Sequence, residues 1–141
     1  MMTIPLWVLL GFAGWTLIVL LGTVGVYRWS RILTGRAAIY EFRAGVPHEK
    51  DWYRRAMRAH ANCVENLPVY GAIVLAIVVS NLNSKTLDAL AFVFIASRVV
   101  QTITHIGFEE TSTAVSLRFT FFIIQLICMF WMGIYVAVNV L

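Results

Sequence analysis

Four apolar runs, Leu6–Tyr27, Asn62–Ser80, Leu87–Gly107 and Phe119–Leu141, occupy most of this 141-residue chain. Each is close to the roughly 20 residues needed to cross the hydrocarbon core of a bilayer as a helix. Inside that core every backbone amide must find its partner within the protein, so each run is committed to a helix. Composition agrees: 60% of the residues are hydrophobic, only 13% are charged, and the mean hydropathy is +0.81. Soluble domains carry nearer one half apolar and one quarter charged residues. The expected fold is an all-α integral membrane protein, a bundle of four transmembrane helices over about 6–27, 58–80, 87–107 and 118–141. A loop over 28–57 separates the first two, within a single unit spanning 1–141. The first run lacks a basic leader and a small-residue cleavage site, and it reads as a retained helix.

The basic residues orient this bundle. Arg28, Arg31, Arg36, Arg43, Lys50, Arg54, Arg55 and Arg58 fall between the first two runs, whereas the second connection has only Lys85 and the third has none before Arg118. The positive-inside rule places the long first loop in the cytoplasm and both termini on the other side. A net charge of +4 and a pI near 9.4 then reflect topology and attraction to anionic headgroups. No stacking platform or groove-reading element accompanies the arginines, so nucleic acid is not an expected partner.

Polar groups inside such runs need a reason, because a charge facing lipid costs at least ~2.5–3.5 kcal/mol. Arg58, Asn62 and Glu65 recur at i, i+4 and i+7 and share one helical stripe, with Arg55 a turn earlier. Arg98, Gln101 and His105 form a second stripe at i, i+3 and i+7. Counting from the short connection near Asn81–Thr86 at ~1.5 Å per residue, Glu65 lies roughly 24 Å down its helix and Gln101 roughly 21 Å down the next. Arg98 lies at about 17 Å and His105 at about 27 Å, while Arg118 enters the last helix from the same end. Groups from three helices are therefore expected to meet in the cytoplasmic third of the membrane. Pro68 leaves the Val64 carbonyl without its usual donor and disposes the helix to kink beside Glu65.

Two readings of these stripes stand side by side. Arg98 neutralises Glu65 while Asn62 and Gln101 bind helices together, or the excess of arginine over Glu65 forms a pocket for an anionic ligand. The pair His60-x-x-Cys63 places two metal-ligand types on one face, but two ligands without a second pair are a weak signal, and no metal is expected. Cys63 and Cys128 lie on different runs and require no disulfide.

The string Arg58 to Pro68, R-A-H-A-N-C-V-E-N-L-P, followed by an arginine within the third run and another opening the fourth, resembles the MAPEG family, membrane-associated proteins in eicosanoid and glutathione metabolism. The resemblance covers essentially the whole chain. It implies a homotrimer that binds glutathione between neighbouring subunits near the cytoplasmic face. It also implies that Arg58, Asn62 and Glu65 hold the tripeptide, that Arg98 supports the site and that Arg118 lies at the thiol. Arg28 and Arg31 of the first loop, with His60 and Gln101, are further candidates for contact with glutathione. Where several family enzymes place aromatic or histidine residues, commonly tyrosine at the second, three and seven positions after the third-helix arginine, this chain has Gln101 and His105; the usual thiol hydrogen-bond donor is absent from this pattern, and His105 is the candidate to replace it.

The donor set suits that ligand on its own chemistry, since glutathione presents two carboxylates, an ammonium and a thiol. The resemblance implies a glutathione transferase or peroxidase acting on lipophilic electrophiles, or a scaffold or lipid-binding protein that does no chemistry. A small multidrug exporter would need a carboxylate in the first run, and none is there. The expected residence is a bacterial inner membrane or one of the endoplasmic reticulum type, with membrane lipids as neighbours.

Overall fold

The computed structural model describes residues 2–42 and 50–140; Arg43 of the basic loop lies outside them. Among the described residues all regular structure is helical, with no strand. Helix α1 covers Ile4–Val19, passes through a π-helical segment at Leu20–Gly25, and continues as α2 over Val26–Leu33. A short 3₁₀ turn at Ile39–Glu41 follows, then α3 (Asp51–Val79), α4 (Lys85–Gly107) and α5 (Ser112–Val140). Four helical stretches are long and apolar enough to cross a bilayer: Ile4–Leu33, Asp51–Val79, Lys85–Gly107 and Ser112–Val140.

Three of these helices outrun the apolar segments legible in the sequence, and the excess lies at the end carrying the first loop. There α1 runs on as α2, α3 starts seven residues before Arg58, and α5 starts six before Arg118. Hydropathy marks only the part of a helix that matches hydrocarbon. Backbone hydrogen bonding carries each helix further, until a cap residue ends it. Gly35, with φ of +69°, ends α2: its N–H bonds Ile32 O, and that of Arg36 bonds Arg31 O at 2.9 Å. Asn81, with φ of 52°, ends α3 in the same way, with Leu82 N donating to Ile77 O. Both are left-handed caps that recover carbonyls orphaned at a helix end. Ser84 caps the start of α4 by accepting from Thr86 N, and Thr111 caps α5 by accepting from Ala114 N.

The π segment is a feature that periodicity did not reveal. A Cβ at Gly25 would stand 3.2 Å from Leu20 O, so glycine suits this wider, underwound turn. Such an insertion rotates everything after it relative to everything before. After it, Tyr27 turns inward to stack on Tyr53, with ring centroids 4.3 Å apart, and Arg28 Nε donates to the Tyr53 hydroxyl at 2.7 Å. Pro68, by contrast, does not interrupt α3, which remains one helix from Asp51 to Val79.

The apolar core lies between α1, α3, α4 and α5. Tyr70 and Phe94 stack with centroids 4.2 Å apart, Phe12 meets Phe94 edge-on at 5.3 Å, and the Tyr70 hydroxyl donates to Pro5 O. Met132, Val74 and Ile77 close around them. Outward-facing residues are just as apolar: Leu17, Ile18, Phe92, Phe130, Trp131 and Ile134 are all exposed. A multi-pass membrane protein in lipid loses nothing by this, and its interior is distinguished by close packing instead. Phe94→Ala should therefore cost roughly 3 kcal/mol of stability, the usual figure for a core Phe emptied to a cavity. Phe92→Ala, on the lipid face of the same helix, should cost less than about 0.5 kcal/mol. Reversible unfolding in mixed micelles measures both.

Candidate functional site

The two polar stripes meet where α3, α4 and α5 converge at the end of the first loop. The seam holds Asn62 Nδ2 and His105 Nε2 at 3.3 Å, joining the stripe of α3 to that of α4. A cleft of about 360 Å³ opens beside this contact, lined by Arg58, Asn62, Gln101, His105, Glu110, Val115, Arg118, Phe119 and Phe122. That volume is at the lower end of the ~300–1,000 Å³ range of small-molecule sites. Its lining combines guanidinium, amide and imidazole groups with two phenylalanines.

Beneath the cleft is a buried network built around the Gln101 side chain. Its Oε1 accepts from Arg98 Nη1 and from Gln125 Nε2, each at 3.0 Å, and its Nε2 donates to Arg118 O at 3.1 Å. One amide thus ties α4 to α5 at two levels. Arg98 is 1% exposed, its guanidinium lies over the Phe12 ring at 5.6 Å, and neither Nε nor Nη2 finds a partner among the described residues. Thr102 bonds back to Arg98 O and receives Trp15 Nε1, which brings α1 into the same layer.

Arg118 is more constrained than its sequence position suggests. Its Nη2 donates to the carbonyls of Phe108 at 2.9 Å, Thr104 at 3.3 Å and His105 at 3.4 Å. These are the orphaned acceptors at the C-terminus of α4, where a cation also meets the negative end of the helix dipole. One nitrogen of the guanidinium thus caps α4, while the residue still lines the cleft. Arg58, too, has a partner that sequence spacing does not reveal, since its Nη1 lies 2.9 Å from Glu110 Oε1 in the α4–α5 connection.

The remaining candidates do not join this group. Glu65 is exposed on α3 and, among the described residues, has neither an ion pair nor a hydrogen bond. No ion pair or hydrogen bond connects it to Arg98 among the described residues, so the two interact only at longer range, and Glu65 is exposed and not buried as its stripe implied. A step of three residues turns it roughly 60° from Asn62, which is enough to leave the α3–α4 seam. Arg28 and Arg31 sit in an aromatic cluster, Arg28 against Phe42 and Tyr53 and Arg31 over Tyr27, away from the cleft. His60 is half-buried outside the cleft lining. Cys63 is buried with its sulfur 3.8 Å from the Thr102 hydroxyl, and no group of three metal-ligating side chains occurs among the described residues. Gln125 is the residue that sequence reasoning passed over. It is the only amide or charged side chain between Arg118 and Asn139, and that isolation within an apolar helix was the available signal.

If Gln101 supports Arg98, Gln101→Leu leaves a buried guanidinium with no hydrogen bond and should cost about 1.5–3 kcal/mol, the range for a hydrogen bond to a charged group. Adding Arg98→Met should recover much of that loss. Additive losses in the double variant would show that the two do not act together.

No curated protein and no solved structure matches the chain. A family model, that of the MAPEG family, matches residues 4–138. With four membrane-spanning helices and nearly its whole length covered by that match, the chain belongs to the MAPEG family.

Proposed function

We propose that this protein is a membrane-bound glutathione transferase, with peroxidase activity on lipophilic hydroperoxides as a second outlet of the same thiolate. The family includes glutathione-dependent enzymes and non-enzymatic members alike. The observation that carries the reading is the grouping of Arg58, Asn62, Gln101, His105 and Arg118 around one cleft, with an unpaired carboxylate, Glu65, further along α3. Arginine and amide donors match the two carboxylates of glutathione, and Glu65 matches its ammonium. The proposed assembly is a homotrimer. An exposed, partnerless carboxylate at membrane depth is costly toward lipid, and a neighbouring subunit that closes the site over Glu65 removes that cost. The first loop is proposed to be cytoplasmic, which gives the cleft access to soluble glutathione, while Phe119 and Phe122 in its lining suit a lipophilic partner.

The chemistry asked of the chain is modest. A cysteine-type thiol with a pKa near ~8.5 is mostly protonated at neutral pH, and a nearby cation raises its thiolate fraction. Arg118 has that charge, and His105 offers a ring nitrogen to the thiol or its proton. In the transferase reaction the thiolate sulfur bonds to an electrophilic carbon and the leaving group departs. With a hydroperoxide, two glutathiones give one disulfide, an alcohol and water. Lipophilic partners enter past Phe119 and Phe122.

A second reading, a scaffold or lipid-binding protein that retains the site without turnover, is favoured by one observation. Three backbone carbonyls engage Nη2 of Arg118, and that use is structural.

Titrating the purified protein with glutathione while following thiolate ultraviolet absorbance separates the two. The transferase reading expects binding with a thiolate signal, and binding without thiolate supports the scaffold. Glu65→Gln should weaken binding by about 1.5–3 kcal/mol, the range for a charge-assisted contact, and more than Glu109→Gln does. Arg118→Ala should lower turnover and thiolate far more than affinity, with partial rescue by Arg118→Lys. Normal conjugation by Arg118→Ala would remove Arg118 from catalysis.

A further inference from the structure

Arg58 lines two cavities at once. One is the cleft described above; the other, of about 340 Å³, lies outward of it and is lined by Asp51, Arg54, Arg55, Arg58, Glu109 and Glu110. Glu110 is the second residue common to both. The 2.9 Å contact between Arg58 Nη1 and Glu110 Oε1 therefore stands at the boundary between an outer polar vestibule and the inner cleft.

The two side chains are 63% and 54% exposed, which makes this an ion pair in a high-dielectric setting and easily exchanged. Glu110 comes from the short connection between α4 and α5, whereas Arg58 is fixed on the long helix α3. Its neighbour Glu109 lines the vestibule but has no ion pair among the described residues. The pair joins a carboxylate on a loop to a guanidinium on a helix, in the path of any anion moving from the vestibule toward Asn62 and Arg118.

We infer that Glu110 is an intramolecular stand-in for a ligand carboxylate, holding Arg58 in the empty site and yielding it when an anionic ligand enters. This deepens the proposed function and rests on it for the identity of that ligand, a carboxylate of glutathione. Exchange of one carboxylate for another leaves Arg58 paired throughout, so a ligand without a carboxylate has nothing to offer in place of Glu110. The device selects for anionic ligands and lowers apparent affinity by the cost of breaking the pair. Surface pairs of this type restrain their partners weakly, so the effect should be about two- to fivefold in dissociation constant.

The test uses the full chain in lipid nanodiscs and reads Arg58 directly, by its rate of modification with phenylglyoxal measured by peptide mass spectrometry. Without ligand, Glu110→Gln should raise the Arg58 modification rate severalfold, and Glu109→Gln, which makes the same change in net charge on the same loop, should not. With glutathione, Glu110→Gln should reach half-protection at about two- to fivefold lower concentration than the wild type, an advantage shrinking as salt is added. An Arg58 rate unchanged by Glu110→Gln overturns the inference whether or not glutathione binds. So does a Glu109→Gln protein that behaves like Glu110→Gln, since the effect would then be general charge. If modification responds to Glu110→Gln but glutathione protects Arg58 in no protein, the pair is real and glutathione is not what displaces it, which overturns the functional reading.

Discussion

The bundle depends at its polar end on one side chain, the Gln101 carboxamide. A buried arginine in a membrane helix is tolerable only with an acceptor, and Gln101 Oε1 is the acceptor that Arg98 has. The same oxygen receives Gln125, and the amide nitrogen reaches the Arg118 backbone. Every donor and acceptor in hydrocarbon is worth more when satisfied and costs more when not. The register of α4 against α5 is consequently set here, and with it the place where Arg118 turns across the end of α4. The cleft inherits its shape from that register. His105 reaches Asn62 on α3 because α4 is held at this height, and Arg118 faces the cleft because its own backbone is tied to Gln101.

The bilayer explains why the site sits where it does. Deep in the bundle the helices meet through aromatic and methionine packing, with little room for charge. Toward the first loop α3 and α5 extend beyond their apolar stretches, and Arg54, Arg55 and Arg58 of α3 gather there near Arg118 of α5. The cleft there is lined both by polar groups and by the apolar Phe119 and Phe122. It is suited to joining a charged, water-soluble molecule to a lipophilic one, which neither a surface groove nor a deep membrane cavity would do as well.

Much of this was legible in the sequence because helices in membranes obey two simple periodicities, ~1.5 Å of rise and about 100° of rotation per residue. Those alone placed Glu65 and Gln101 nearly level, with His105 and Arg118 toward the same end of the bundle. What periodicity does not encode is which neighbour covers which face. Glu65 shares the stripe of Arg58 and Asn62, yet it falls outside the α3–α4 seam. Arg58 finds Glu110, a loop residue whose position depends on how α4 ends. Arg118 is drawn onto carbonyls that exist only because α4 terminates at Gly107. The π segment rests on local glycine sterics that a hydropathy pattern does not register, and it diverts Arg28 and Arg31 to Tyr53 and Tyr27. Gln125 was missed for the opposite reason: a single amide in an apolar helix has no period.

The central claim is that the cleft between α3, α4 and α5 is where glutathione binds. Photo-crosslinking the protein in nanodiscs with a glutathione analogue bearing a photoreactive group on sulfur, followed by peptide mapping, tests this most directly. The account expects adducts on α4 and α5 around His105, Arg118, Phe119 and Phe122, suppressed by excess glutathione. Suppressible adducts confined to the aromatic cluster around Arg28, Arg31 and Tyr53, with none on α4 or α5, would contradict it.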